Sequence, residues 1–345
     1  MKYLYTGGLS PQGWDEARRR ILENTGRPVR AVAHREYVYA LGTRAGSLQI
    51  KLGTGPGVWR YNRALLAAAV EHRPEIVWVD HGILVQARTL RAVKEMTGAI
   101  LVSFNTDYLG CGKHPWRLHR EAIPEYDFYF TSNVFDVELL KAKGVKNVLV
   151  VPLGYLGAMF QQIELTNEEA HRLGASIGFI GHWELATEDL ILHLLDRGLP
   201  VRVRGTSWHH ARNKARLAGT VEQGFIPHAD FVKSIMATKI NLGINSTINR
   251  NQTSGRSYEI PAAGGFLLAK RTGEHLEMYV EGKEAEFYDS VDELEEKARY
   301  YHEHDEERKQ IAANGQRRCL SSGTSFEEMM PRLAGIVEAA VRSKS

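Results

Sequence analysis

Residues 254–269 read SGRSYEIPAAGGFLLA. A hydroxyl-and-glycine turn runs into an arginine and a glutamate three residues apart, then small and apolar residues, a Gly-Gly pair and an apolar run. The pattern predicts a short helix opening at about Ser257, stopped by glycine and followed by a buried strand. Positions i and i+3 share a helix face, so Arg256 and Glu259 point the same way from the first turn. Two readings of the pair are open. The residues could simply pair with each other on a surface. Alternatively the guanidinium and the backbone N–H groups of the helix start hold an anion such as a diphosphate, and the carboxylate accepts hydrogen bonds from two adjacent hydroxyls.

Working outward, apolar runs alternate with helical patterns, the mark of parallel βαβ units. In the first half the expected strands are KYLYTGG, EIVWVDHG, AILVSFNTDY, YDFYFTS and NVLVVPLG, with helices between; VRAVAHREYV is ambiguous. The period lapses after Gly154 and restarts with strands ASIGFIGH, PVRVRG, INLGINS, GFLLAK and EAEFYD. The expected fold is therefore α/β: two tandem Rossmann-like, doubly wound domains with a cleft between them. The expected boundaries are 1–155, 156–325 and a last helical segment 326–345.

Such sheets bind ligands beyond the carboxyl ends of their strands. Attention falls on Thr6 to Gly8, Asp80 to Gly82, Asn105 to Asp107, Gly181 to Trp183 and the loop 245–256. His81 and Asp107, at strand ends of the first half, are candidate general bases; turn or cap roles are the alternative. In GFIGHWE, Gly181 stands where backbone approaches a ligand, although turns need glycine anyway. No GxGxxG follows the first strand of either half and no GxxxxGK[ST] occurs, which argues against a dinucleotide-redox enzyme and a P-loop ATPase.

The chain has 345 residues, 43% of them hydrophobic and 25% charged, with a net charge of +3. That balance gives no sign of nucleic-acid binding. The basic stretches ARRR (17–20) and RNKAR (212–216) are expected as solvated helix faces. Two cysteines, Cys111 and Cys319, lie far apart without metal-ligand spacing, so neither a disulfide scaffold nor a zinc site is expected, and a cytoplasmic setting fits. No apolar run of about 18 residues suggests a transmembrane segment; peripheral membrane contact stays open.

With these residues in view, the second half resembles a known group. GFIG (178–181), GFIPHADFVKSIMATKINLGINS and the long stretch from GRSYEIPAAGGFLLAK to NGQRR resemble CgeB-like, spore-maturation-type glycosyltransferases and the wider group-1 type of GT-B enzyme. The resemblance implies a nucleotide-diphospho-sugar donor, a UDP-sugar first with GDP or dTDP as alternatives, held by the C-terminal domain, and an acceptor on the N-terminal one. It implies that Glu259 contacts the ribose and Arg256 the diphosphate, helped by Arg250. Thr253 and Ser254 would lie beside the phosphates, Gly181 would give the donor room, and Phe225 and Ile226 would lie along the base. Asn251 stands where many group-1 enzymes carry an upstream glutamate, and His182, Trp183 and Glu184 replace their basic residues. The resemblance also implies that the last helix, 326–342 within the segment 326–345, returns to the first domain. No DxD pair beside an apolar strand stands out as a metal site, so metal-independent transfer is expected, to a glycan, a lipid-linked glycan, a metabolite or a protein. A nucleotide-sugar epimerase or hydrolase, and a non-catalytic two-domain ligand-binding protein, are the alternatives.

Overall fold

The computed structural model describes residues 1–110, 116–161 and 163–343. Cys111 lies outside them, and Cys319 is a buried free thiol. The strands are β1 (Tyr3–Gly7), β2 (Val29–Ala33), β3 (Ile76–Asp80), β4 (Ile100–Asn105), β5 (Phe128–Thr131), β6 (Asn147–Val150), β7 (Ala175–Ile180), β8 (Val201–Gly205), β9 (Val221–Gln223), β10 (Thr238–Gly243), β11 (Leu267–Lys270) and β12 (Glu286–Tyr288). They form two six-stranded sheets, ordered β2-β1-β3-β4-β5-β6 and β12-β11-β10-β7-β8-β9. Every pairing is parallel. The ambiguous VRAVAHREYV resolves as β2 followed directly by the helix His34–Val38.

The chain divides into two compact units. One holds Met1–Pro152, Ile248–Asn251 and the segment from Phe326 onward; the other holds Leu153–Thr247 and Gln252–Ser325.

In the first unit β1, β3 and β4 are buried along their whole length, as parallel strands covered on both faces must be. Successive side chains alternate between faces. Val77 and Val79 join Leu4, Leu65, Leu90 and Leu101 in one core cluster. Trp78 on the other face stacks near Tyr5, Phe104 and Phe130, with ring centroids 5.5–6.5 Å apart.

That aromatic face corrects the reading of ARRR as a solvated surface. Arg18, on the helix Trp14–Asn24, is only 3% exposed. Its guanidinium forks onto the Asp80 carboxylate at 2.8 and 2.9 Å and lies 4.7 Å from the Phe104 ring centroid and 5.1 Å from that of Phe326. The Tyr5 hydroxyl donates to the same carboxylate at 2.5 Å. Sequence spacing along one helix does not show that its third face meets an acid 62 residues away. The stretch 212–216 is corrected differently: its basic side chains are exposed, but its backbone forms turns, not a helix.

The last helix, Phe326–Arg342, packs within the first unit, where Glu338 accepts hydrogen bonds from Arg27 at 2.7 Å and from the Tyr3 hydroxyl at 2.9 Å.

Candidate functional site

In an open parallel sheet the ligand crevice lies where the strand order reverses, because the helices leaving the two central strands diverge to opposite faces. In the second sheet that point falls between β7 and β10. A pocket of about 190 Å³ opens there, lined by Ile180 at the end of β7 with Gly181 and His182 after it, by Ile244, Asn245 and Ser246 after β10, and by Ser254, Gly255 and Arg256. Gly181, Ser254 and Arg256, to which the sequence resemblance assigns donor contacts, thus meet at one place.

Arg256 is held in several ways. Its Nε donates to the Ile180 carbonyl at 2.8 Å, its guanidinium carbon lies 4.5 Å from the Phe231 ring centroid, and an Nη donates to Glu259 Oε2. The mutual pairing foreseen at the outset therefore occurs, but not on a surface: the Glu259 side chain is 4% exposed and that of Arg256 25%. Arg256 thus lines the pocket while it pairs with the buried Glu259 carboxylate behind it. The Oγ of Ser254 and the Oδ1 of Asn245, both at the pocket, are buried without a hydrogen-bond partner among the described residues. Buried polar atoms are normally satisfied, so these two mark where a polar ligand would complete the site.

The turn carrying Ser254 is fixed from behind. His275 Nδ1 lies 2.7 Å from the Lys270 carbonyl, which can only accept, so the proton sits on Nδ1 and Nε2 is an acceptor. Nε2 accepts from the Ser257 hydroxyl at 2.8 Å, and Ser257 Oγ in turn accepts the Ser254 N–H at 3.0 Å. Burial drives the His275 pKa down to about 4, which keeps the ring neutral. The helix Arg256–Ala262 contains Pro261, which has no N–H to offer the Ser257 carbonyl one turn back. The Tyr279 hydroxyl takes that place at 2.9 Å. Sequence reasoning missed His275 and Tyr279, since the stretch 271–280 carries no local signal beyond Thr272, whose side chain caps the helix Gly273–Met278.

Gly181 has a packing reason of its own. A Cβ there would stand 2.5 Å from the Phe179 ring. Gly205 at the end of β8 has φ of +147°, and a Cβ on it would lie 2.0 Å from the Gly181 carbonyl oxygen; only glycine allows that approach. Glu184, 6% exposed, accepts from Ser246 Oγ at 2.5 Å and from the Thr247 N–H and hydroxyl at 2.9 and 2.7 Å. Burial works to raise its pKa, but these hydrogen bonds outweigh it and hold the carboxyl below the usual range. Glu184 thus ties down the loop after β10.

Other predicted residues fall elsewhere. The Thr253 hydroxyl is buried and donates to Glu274 at 3.0 Å. Phe225 is 66% exposed between β9 and the helix His228–Ala237, while Ile226 packs against the second unit's core.

In the first unit the reversal lies between β1 and β3. His81 follows β3 with φ of +60°, a left-handed turn rare outside glycine. The structure brings it to Asp107: Nδ1 stands 3.6 Å from Asp107 Oδ2, and Nε2 lies 3.3 Å from the Thr106 hydroxyl. Asp107 Oδ1 accepts from Asn249 at 3.0 Å, and Asn251 donates to the Thr106 carbonyl at 3.2 Å. Arg250 lies over the Phe135 ring at 4.5 Å and does not line the second unit's pocket.

Comparison with known proteins adds to this geometry. Residues 187–332 match a protein family described as Glycosyl transferase-like. No curated protein matches the chain. Anabaena HepE, crystallised with UDP and glucose, shares 12% identity at a TM-score of 0.69 over 98% of this chain and 100% of its own. Sucrose-phosphate synthase from Thermosynechococcus elongatus shares 8% at 0.72 over 99% and 100%. The trehalose-6-phosphate synthase OtsA shares 10% at 0.69 over 98% and 99%. At such identities the likeness is one of fold: this chain has the GT-B fold, two tandem Rossmann-like domains, that its sequence predicts.

Proposed function

We propose that the chain is a GT-B glycosyltransferase, of the CgeB-like group its second half resembles. It moves a sugar from a nucleotide-diphospho-sugar, a UDP-sugar ahead of GDP or dTDP, to an acceptor hydroxyl. The observation that carries the reading is the pocket at the strand-order reversal of the second sheet, where the Arg256 guanidinium meets the unpartnered Ser254 hydroxyl and Asn245 carbonyl oxygen. Arg256 holds the diphosphate, with Ser254 beside it and Thr253 contributing backbone only. Glu259 takes the ribose through Oε1, since Oε2 is engaged by Arg256. Gly181 lies along the donor, and Phe225 with Ile226 along the base.

In the transfer, the bond from the sugar's anomeric carbon to the diphosphate breaks with its electron pair going to the diphosphate. The acceptor oxygen bonds that carbon, and its proton passes to a base. His81 is the proposed base through Nε2, with Asp107 facing Nδ1 and stabilising the imidazolium that forms. Charge growing on the leaving diphosphate is met by a preorganised guanidinium in place of a metal ion.

The test is thermal unfolding of the protein with UDP, GDP and dTDP. A ligand that binds only the folded state raises the midpoint, so stabilisation by one of the three that Arg256→Ala abolishes supports the reading. If none stabilises, the proposal fails.

A further inference from the structure

Residues 34–63 of the first unit contain the helices His34–Val38 and Thr43–Leu52 and the start of the helix Pro56–His72. Their inner faces are pinned together. Gln49 Nε2 donates to the Val38 carbonyl at 3.2 Å, and its Oε1 accepts the Gly57 N–H at 2.7 Å. The Tyr39 ring packs so close to Gly46 that a Cβ there would lie 2.2 Å from it. With Gly46, Gln49 and Gly53 buried, the outward stripe of the helix Thr43–Leu52 is fixed as Arg44, Leu48, Lys51 and Leu52.

A helix on a soluble protein turns its leucines inward. Here Leu48 and Leu52 are 56% and 55% exposed, Leu41 just before them 65%, and Trp59 in the next helix's first turn 54%. The same segment exposes Arg35, Arg44, Lys51, Arg60 and Arg63 against one acid, Glu36. Its net +4 exceeds the +3 of the entire chain. Among the described residues none of these five cations is in an ion pair, whereas Arg19, Arg20, Lys94 and Lys141 elsewhere in this unit each find a carboxylate.

Exposed leucines on one helix stripe, interleaved with cations on the same stripe, mark an interaction surface, and the charge selects the partner. A second copy would bring like charge against like. An acidic protein face would meet the cations but leave the leucines unexplained. A bilayer with anionic headgroups satisfies both, because Leu and Trp enter the interfacial layer while Lys and Arg reach lipid phosphates and carboxylates from the same face. We propose that this face docks on an anionic lipid bilayer surface. The inference stands independently of the sugar-transfer reading.

Flotation of the full chain with vesicles tests it, using phosphatidylcholine alone and an equimolar mixture with phosphatidylserine. The protein is expected to float with the anionic vesicles only and to be released by salt. Each cation near such a surface is worth roughly a fivefold change in affinity. Arg44→Gln with Lys51→Gln should therefore weaken binding by roughly 25-fold, and Leu48→Ser with Leu52→Ser by at least about tenfold. Lys146→Gln, an exposed charge outside the segment, should leave it unchanged. All these positions are exposed, and an unchanged unfolding midpoint confirms that the variants fold. Absence of flotation, equal flotation on both vesicle types, loss with Lys146→Gln, or self-association in solution abolished by the leucine variant would each overturn the proposal.

Discussion

The Ser257 hydroxyl donates to Nε2 of His275 at 2.8 Å, and through that single bond the turn facing the pocket is tied to a buried neutral imidazole. The chain runs from the Ser254 N–H through Ser257 Oγ and His275 to the Lys270 carbonyl. Its pH dependence has a definite sign. The folded pKa of about 4 lies below the ordinary 6.5, so the stabilisation is complete above pH 6.5 and is lost as pH falls toward about 4. The loss amounts to about 3 kcal/mol at the acid end. His34, also near 4, and His119, near 3, add the same trend. Stability measured against pH for the wild type and for His275→Gln should therefore differ in slope across this window; identical slopes would remove His275 as a titrating anchor.

Replacing Arg256 has two effects that must be separated. Alanine there removes the proposed diphosphate contact, worth about 1.5–3 kcal/mol for a charged hydrogen bond, or roughly 10- to 100-fold in nucleotide affinity. It also leaves Glu259, 3% exposed, without its cation, so the fold itself is destabilised by about 1–3 kcal/mol. Arg256→Met combined with Glu259→Gln should recover most of that stability and none of the affinity. Calorimetric titration with UDP alongside unfolding midpoints reads both.

For His81 and Asp107 the readout is turnover. His81→Asn keeps a residue tolerant of the left-handed backbone at φ +60° while removing the base. Loss of general-base catalysis should lower kcat by roughly 10²- to 10⁴-fold with donor affinity unchanged. Asp107→Asn should lower kcat less, because Nε2 keeps its place while the imidazolium loses the facing charge. Near-normal rates in both variants would place the base elsewhere.

The pair of Arg18 and Asp80 is buried at 3% and 0% side-chain exposure. Truncating one partner strands a charge, so Asp80→Ala or Arg18→Ala should cost about 3–5 kcal/mol in urea unfolding. The double change Arg18→Met with Asp80→Asn should cost less than the sum of the two single truncations.

Tyr279→Phe removes only the hydroxyl that serves the Ser257 carbonyl in place of the missing Pro261 N–H. The orphaned carbonyl should cost about 1–3 kcal/mol. Pro261→Ala, which restores a helix N–H, should reduce the penalty of Tyr279→Phe when the two are combined.

Much of this molecule was legible along the chain. Alternating apolar runs and helical periods set out the order of strands and helices, and the glycine stop at Gly264–Gly265 gave the helix of Arg256 its end. The i,i+3 spacing put Arg256 and Glu259 on one face. These features are local: each depends on residues within a turn or two, where periodicity and turn chemistry act.

What only the tertiary structure decided is which distant groups meet. Glu184 ties down Ser246 and Thr247, Arg18 finds Asp80, His81 finds Asp107, and His275 fixes the turn at Ser254. Those encounters depend on strand order, which brings β7 beside β10 and β1 beside β3 across long crossovers. A local period records which face a residue takes, but the partner on the other side is settled only when each sheet packs against its own helices and enclosed polar groups are drawn to an acceptor or a donor.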